Sequence, residues 1–158
     1  MEALRRIGVM GAASVDDRQY DMAYKIGKEI AKRGAILVCG GRGGVMEAAS
    51  KGACEEGGIV VGILPGNSVD EANAYVNVPV VTGMSNARNS INIWTSEVVI
   101  AICGSYGTLS EIALALKCGR PVIALESWRL DKIGCKDPLF RVVGSPEEAI
   151  EEAFGLLE

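Results

Sequence analysis

The stretch EVVIAICGSYGTLSEIALAL, residues 97–116, decides the fold. Its segment VVIAI is apolar without alternation, which is typical of a parallel strand buried on both faces of a sheet. The turn CGSYGT follows, and apolar residues then recur at helical spacing. The stretch therefore predicts a central strand, a glycine turn and a helix, in that order.

The same unit repeats along the chain. β-type runs occur at 5–10, 35–39, 59–64, 78–83, 97–102, 121–125 and 140–143. Helical patterns separate most of them, which is the signature of a parallel sheet covered by helices on both faces. We therefore predict one α/β domain over residues 1–158. Its ligand site is expected beyond the carboxyl ends of the strands, at a topological switch point.

Several helix boundaries can be predicted from capping residues. The first helix is expected to start at Ser14, and the last at SPEE, residues 145–148, with an N-cap serine and proline at the first position. Helix 86–95 is expected to present one stripe of Ala87, Ile91 and Trp94.

Composition excludes several classes of function. The net charge of −4, without a cluster of basic residues, argues against a nucleic-acid-binding surface. Apolar runs are far shorter than the roughly 18 residues of a membrane helix. The five cysteines are odd in number and lack CxxC spacing, as expected of reduced thiols in a cytoplasmic protein. Histidine is absent, so any proton transfer must use a carboxylate or another group, and no metal site is expected.

Two glycine-rich turns are candidate phosphate sites. In CGGRGG, residues 39–44, glycines at 40, 41, 43 and 44 can point N–H groups at an anion, or can serve only a tight turn and close packing. The P-loop and GxGxxG patterns are both absent. In CGSYGTLSE, the residues Gly104, Ser105, Tyr106, Gly107 and Thr108 can surround an anion at a helix start.

The spacing of CGSYGTLSE also supports a purely structural role. Thr108 and Glu111 match a capping box, and on spacing alone capping is favoured over catalysis for Glu111. Arg88 is either a ligand to phosphate or a surface arginine, and Ser14 is either a ligand or only an N-cap. Tyr106 either covers a pocket or shields a loop.

Four segments in order resemble the Lonely Guy (LOG) family, a group also labelled as lysine decarboxylases. They are GGRGGVMEAASKGA (40–53), GGIVVGILPG (57–66), VTGMSNARN (81–89) and CGSYGTLSEIALAL (103–116). The resemblance implies a Rossmann-like, doubly wound parallel sheet of about six or seven strands, assembled as a homodimer or larger homo-oligomer. It also implies a nucleotide site that includes Met84 of the third segment.

Family enzymes remove the base from N6-modified adenosine 5'-monophosphate, without a required cofactor. Their PGGxGTxxE motif and preceding Arg-Lys pair place Arg88 and Glu111 at the two catalytic positions. Here Cys103 and Ser105 replace the proline and second glycine, and Asn89 replaces the lysine. A side branch with similar motifs consists of molybdenum-cofactor carrier proteins, which bind a phosphorylated pterin.

The resemblance leaves three functions open. The chain is a phosphoribohydrolase, a non-catalytic carrier or sensor of molybdenum cofactor or a nucleotide, or a relic with a vacant pocket. Bound phosphate or a nucleoside monophosphate is compatible with the first two. Lysine decarboxylation is rejected, because pyridoxal chemistry needs a Schiff-base lysine and no lysine falls at a predicted strand-end loop.

Overall fold

A seven-stranded parallel sheet forms the centre of the protein in the computed structural model, which describes residues 3–158. The strand order is β4-β3-β2-β1-β5-β6-β7, and every neighbouring pair is parallel. The strands are β1 (Arg6–Gly11), β2 (Ile36–Cys39), β3 (Val60–Leu64), β4 (Val78–Val81), β5 (Val98–Ile102), β6 (Val122–Leu125) and β7 (Phe140–Val143). The predicted Rossmann-like α/β fold is confirmed.

Five helices cover the two faces of the sheet. They are α1 (Asp17–Lys32), α2 (Val45–Glu55), α3 (Arg88–Thr95), α4 (Tyr106–Lys117) and α5 (Pro146–Gly155). Helix α1 packs against α2 and α5 on one face, and α3 packs against α4 on the other. No helix within residues 3–158 is both long and apolar enough to cross a membrane.

Strand β5 connects the two hydrophobic cores. Its residues Val98, Ile100 and Ile102 belong to the core beneath α1, α2 and α5. Val99 and Ala101 point the other way, to the core that α3 and α4 cover. All five side chains are fully buried, and burial of each of the four valine and isoleucine side chains contributes about 2 kcal/mol. This explains why the strand shows no alternation in sequence.

The switch point of the sheet lies between β1 and β5. The chain runs outward from β1 through β2, β3 and β4, and then returns to the other side of β1 as β5. The two strands are paired up to their last residues, Gly11 and Ile102. The loops that follow them leave the same edge of the sheet in different directions, and a crevice opens between them.

Two predicted helix starts are wrong. Helix α1 begins at Asp17, and its N-cap is Asp16, which forms a capping box with Gln19; Ser14 lies before the helix and is exposed. Helix α4 begins at Tyr106 after Ser105, so Thr108 lies within the helix and does not cap it. The predicted Thr108–Glu111 capping box therefore does not exist, because the N-cap is Ser105, three residues before the threonine.

The predicted start of the last helix is confirmed. Ser145 caps α5 by accepting a hydrogen bond from the Glu148 N–H, with Pro146 at the first position.

Helix α3 is rotated from its predicted orientation. Trp94 is 58% exposed, and the buried residues are Asn89, Asn92 and Ile93. Its inner face is therefore largely polar.

Gly44 allows α2 to approach the loop after β1. It is the N-cap of α2, with φ +64° and ψ −126°, and a Cβ there would overlap the Ala12 carbonyl oxygen. The next residue, Val45, donates its N–H to that oxygen at 2.9 Å. The absent side chain thus permits a direct backbone contact between two strand-end loops.

We expect Gly44→Ala to destabilise the protein more than Gly34→Ala. Gly34 has φ +75° but open space around its Cβ position, so its substitution costs about 1 kcal/mol of backbone strain. The Gly44 variant adds overlap with the loop after β1, which costs at least about 1 kcal/mol more. Urea unfolding of both variants measures the difference. An equal loss of unfolding free energy in the two variants would show that the backbone at Gly44 can shift to accommodate a Cβ.

Candidate functional site

A deep cavity lies at the carboxyl edge of the sheet, at the switch point. It encloses about 170 Å³, and its walls come from the ends of β1 and β2 and from the starts of α3 and α4. The lining residues are Met10, Gly11, Ala13, Gly40, Met46, Asn86, Arg88, Asn89, Ser105, Gly107, Thr108 and Glu111. The predicted location of the site at the strand ends agrees with this cavity.

Arg88 brings a positive charge to the cavity. It is half-buried at the start of α3, and one Nη donates a hydrogen bond to the Asn89 side-chain oxygen. Its Nε is buried without a partner. A Cβ on Gly40 would lie 2.8 Å from Nη2, so the glycine makes room for the guanidinium. Burial lowers the pKa of Arg88, whereas the negative charge of Glu111 opposes that shift.

Glu111 faces Arg88 across the same cavity. Its side chain lies on the second turn of α4 and the residue is only 8% exposed. Burial raises the pKa of this carboxyl to about 7, and the positive charge of Arg88 partly offsets the effect. Within residues 3–158 no ion pair joins the two groups. Glu111 can therefore hold or release a proton near neutral pH.

Thr108 supplies a hydroxyl without a partner. It is 1% exposed on the first turn of α4, it lines the cavity, and its Oγ1 makes no hydrogen bond. Ser105, at the N-cap, offers no side-chain hydrogen bond to the helix start. The first N–H groups of a helix have no partner within it, and its dipole favours negative charge there. With Arg88 opposite, this end of the cavity is suited to a phosphate group.

Two shallower depressions adjoin the deep cavity on the surface. The outer depression encloses about 660 Å³ between α3 and α4 and includes Tyr106 and Gly107. The lateral depression encloses about 520 Å³ on the other side of the loop 103–105 and includes Ser14, Cys103 and Gly104. Nine of the thirteen predicted site residues are thus divided among these three spaces.

Cys103 gives the loop after β5 an unusual path. Its φ is +54°, in the left-handed region, and its side chain is buried. Proline holds φ near −65°, so the proline of the LOG motif could not take this backbone. The departure from the motif at Cys103 is therefore a change of main-chain conformation as well as of side chain.

Four predicted ligand residues border none of the three spaces, and three more, Ser14, Gly104 and Tyr106, border only the two depressions. A Cβ on Gly41 would meet Leu64 and Gly62, and one on Gly43 would meet Ala13. Gly44 touches the same loop, as described above. Met84 is exposed at the turn before α3 and borders none of the three spaces. Of the CGGRGG glycines only Gly40 borders the cavity, and the others serve close packing of main chain.

Several lining residues were not found from the sequence. Met10, Gly11, Ala13 and Met46 are small or apolar, and only their position at strand ends could indicate a site. Asn86 lies two residues before Arg88, on the 3₁₀ turn Ser85–Ala87, and has no recognisable motif of its own. Among residues 3–158 no three His, Cys, Asp or Glu side chains are grouped as metal ligands.

Comparisons of the sequence with known proteins identify a family and two relatives. A family model described as SLOG cluster4 matches residues 4–150. An uncharacterized protein of Archaeoglobus fulgidus is 43% identical over 93% of each chain. A probable cytokinin riboside 5'-monophosphate phosphoribohydrolase of Oryza sativa subsp. japonica is 32% identical over 68% of this chain, which spans half of that protein.

Solved structures resemble the chain over its whole length. The molybdenum cofactor binding protein of Rippkaea orientalis has a TM-score of 0.93 and 38% identity, with 100% of both chains covered. The molybdenum cofactor carrier protein of Chlamydomonas reinhardtii has a TM-score of 0.91 and 39% identity, with 98% of this chain and 99% of that chain covered. The resemblance drawn from the four sequence segments is confirmed at the family level.

We expect Glu111→Gln to remove a pH dependence of stability. With a pKa of about 7 in the folded state against 4.5 ordinarily, Glu111 keeps a proton that the unfolded chain releases. The free energy of unfolding therefore falls as pH rises from 4.5 through 7, by about 3 kcal/mol in all. The glutamine variant lacks this decline and is the more stable protein at pH 8.

Urea unfolding at pH 5 and pH 8 checks this expectation. The matched control is Glu147→Gln, on the exposed first turn of α5, which should follow the parent at both pH values. A constant stability difference between parent and Glu111→Gln across this range would show that Glu111 is ionised throughout.

Proposed function

The chain belongs to the SLOG cluster4 family, and from this premise we propose that it is a carrier that binds molybdenum cofactor through the phosphate of its pterin. The observation that carries the proposal is the buried, unpartnered Thr108 hydroxyl in a cavity that also contains Arg88. Two molybdenum cofactor proteins that match the chain at TM-scores of 0.93 and 0.91 support the choice of cargo.

The dimensions of the site support binding of the phosphate end in the deep cavity. A drug-sized ligand needs a pocket of about 300 Å³ or more, whereas the deep cavity encloses about 170 Å³. A phosphate group fits there, with the Thr108 hydroxyl, the first N–H groups of α4 and the Arg88 guanidinium as donors. The remainder of the cargo would then occupy an adjoining depression.

A Glu111 carboxyl that is protonated in many molecules near neutral pH suits this carrier function. Below pH 7 the carboxyl is mostly protonated and can donate a hydrogen bond to a phosphate oxygen, because its pKa is raised to about 7. Above that pH the carboxylate repels the phosphate. Binding should therefore weaken as pH rises through 7, and cargo would be released more readily on the alkaline side.

We expect Thr108→Val to weaken binding without loss of stability. Valine has the same shape but no hydroxyl, so the variant loses a hydrogen bond to a charged group, which weakens binding by about tenfold or more. The unliganded variant should be at least as stable as the parent, since the hydroxyl has no partner. Thermal-shift titrations with molybdopterin, AMP and inorganic phosphate measure both effects.

The matched control is Thr82→Val, away from the cavity, which removes a hydroxyl that donates to the Leu64 carbonyl at 2.6 Å and accepts from the Met84 N–H at 3.2 Å. It should lower stability by about 1 kcal/mol and leave binding unchanged. Unchanged affinity in Thr108→Val would place the phosphate elsewhere. If none of the probes stabilises the parent, the pocket is vacant and the carrier proposal is wrong.

Hydrolysis of a nucleoside 5'-monophosphate is the second candidate function. It is favoured by the placement of Arg88 and Glu111 in one cavity and by the 32% identity to the probable phosphoribohydrolase of Oryza sativa. Glu111 would accept a proton from water as its oxygen bonds to C1' of the ribose. The C1'–N bond breaks, the leaving base takes up the proton that Glu111 accepted from water, and ribose 5-phosphate remains.

Incubation with AMP and N6-substituted AMP distinguishes the two candidates. A carrier releases no base, whereas a hydrolase releases free base at a rate that rises through pH 7 as Glu111 loses its proton. Glu111→Gln should abolish release, and Glu147→Gln should preserve it. Full activity in Glu111→Gln would assign the proton transfer to another group.

The expected homo-oligomer and cytoplasmic location are part of the same proposal. The edge strand β4 exposes Val78, Val80 and Val81, each about two-fifths exposed, and a partner subunit would cover this apolar strip. An exposed apolar edge of this kind is usually covered in native assemblies.

A further inference from the structure

The outer depression continues the deep cavity toward solvent. The two spaces share Asn86, Asn89 and Gly107 in their walls, so a ligand can extend from one into the other. The outer one encloses about 660 Å³ between α3 and α4. It is therefore large enough for the part of a ligand that the deep cavity cannot hold.

Tyr106 presents an aromatic ring at the wall of the outer depression. The residue is 82% exposed, and its ring stacks on Trp128, with centroids 6.1 Å apart and an interplanar angle of 26°. Trp128 is fixed in turn, because its Nε1 donates to the Ser105 carbonyl at 3.0 Å and its ring packs against the core under α4. The tyrosine ring is thus held in place without being buried.

The free face of this ring borders the outer depression. Tyr106 lines that space, whereas Trp128 lines the lateral depression on the other side of the loop. The tryptophan therefore covers one face of the tyrosine and leaves the other available. An exposed ring stacked on one face is a platform on which a planar ligand ring can stack.

The remaining walls of the outer depression are neutral. They combine two apolar side chains, Ala87 and Leu114, with the amides of Asn86 and Asn89 and the hydroxyl of Ser90. The Ser110 hydroxyl also lines the space, but it already donates to the Gly107 carbonyl and accepts from the Asn89 amide. None of the described residues that line this space carries a charge. Amides and hydroxyls can both donate and accept, which matches the alternating donors and acceptors at the edge of a nitrogen heterocycle.

We propose that the outer depression is a subsite for a planar bicyclic nitrogen heterocycle, which stacks on Tyr106 while its phosphate occupies the deep cavity beside Thr108 and Arg88. The inference rests on the proposed binding of a phosphorylated ligand. Pterins and purines share this ring chemistry, so the platform accepts either, and the edge contacts to Asn86 and Ser90 select between them.

Binding of three phosphate monoesters tests the subsite. They are a 6-substituted pterin whose side chain ends in a phosphate, AMP, and ribose 5-phosphate, which has no aromatic ring. In the parent both ring-bearing probes should bind more tightly than ribose 5-phosphate. Tyr106→Leu should weaken binding of the ring-bearing probes by about fivefold or more, because one base–aromatic stack is lost. It should leave ribose 5-phosphate unchanged.

Two further variants isolate the role of the ring. Tyr106→Phe keeps the stacking surface and should retain parent affinity. Trp94→Leu removes another exposed aromatic residue, 58% exposed on α3 and outside all three spaces, and should change nothing. Because both rings can stack on Tyr106, the probe that binds the parent more tightly identifies the ring that the edge contacts favour.

The outcomes separate this inference from the function on which it rests. If the parent binds no probe, the proposed function and the subsite both fail. If the probes bind and Tyr106→Leu retains full affinity for the ring-bearing ones, only the subsite fails. Equal weakening of ribose 5-phosphate by Tyr106→Leu also overturns the subsite, because the residue would then act through the loop that holds the phosphate.

Discussion

The parallel pairing of β1 with β5 is the constraint on which the site depends. The two strands end together at Gly11 and Ile102, yet their helices pack on opposite faces of the sheet. The loops that follow β1 and β5 must therefore diverge at this edge. Between them lies a space that no helix or strand fills. Arg88 from α3 and Glu111 from α4 enter that space because both helices lie on the same face.

The sequence predicted the architecture well because the fold follows from periodicity. Unbroken apolar strands and regularly spaced helices leave few arrangements other than a doubly wound parallel sheet. Helix starts were harder, since Ser14 and Thr108 have the chemistry of N-caps while Asp16 and Ser105 occupy those positions. A capping pattern shows that a residue can cap a helix, and the surrounding chain decides whether it does so.

The composition of the site was less predictable for physical reasons. Helix α3 turns Asn89 and Asn92 inward and Trp94 outward, because its inner face borders a polar cavity, so a search for an apolar stripe selects the wrong face. The sequence also does not show which glycine of a glycine-rich turn borders the cavity. Gly40 faces the cavity and Gly41 faces Leu64, and nothing in the letters CGGRGG distinguishes them. Arg88 and Glu111 were assigned through family resemblance, and a spacing argument alone favoured capping.

The positive φ of Cys103 makes the residues of the segment 103–105 depend on one another. A proline introduced at this position would meet a backbone it cannot adopt, and the strain would spread to Ser105 and to the carbonyl that anchors Trp128. Exchange of this loop for a PGG loop therefore requires a new main-chain path at position 103, and substitution of Cys103 alone would destabilise the fold.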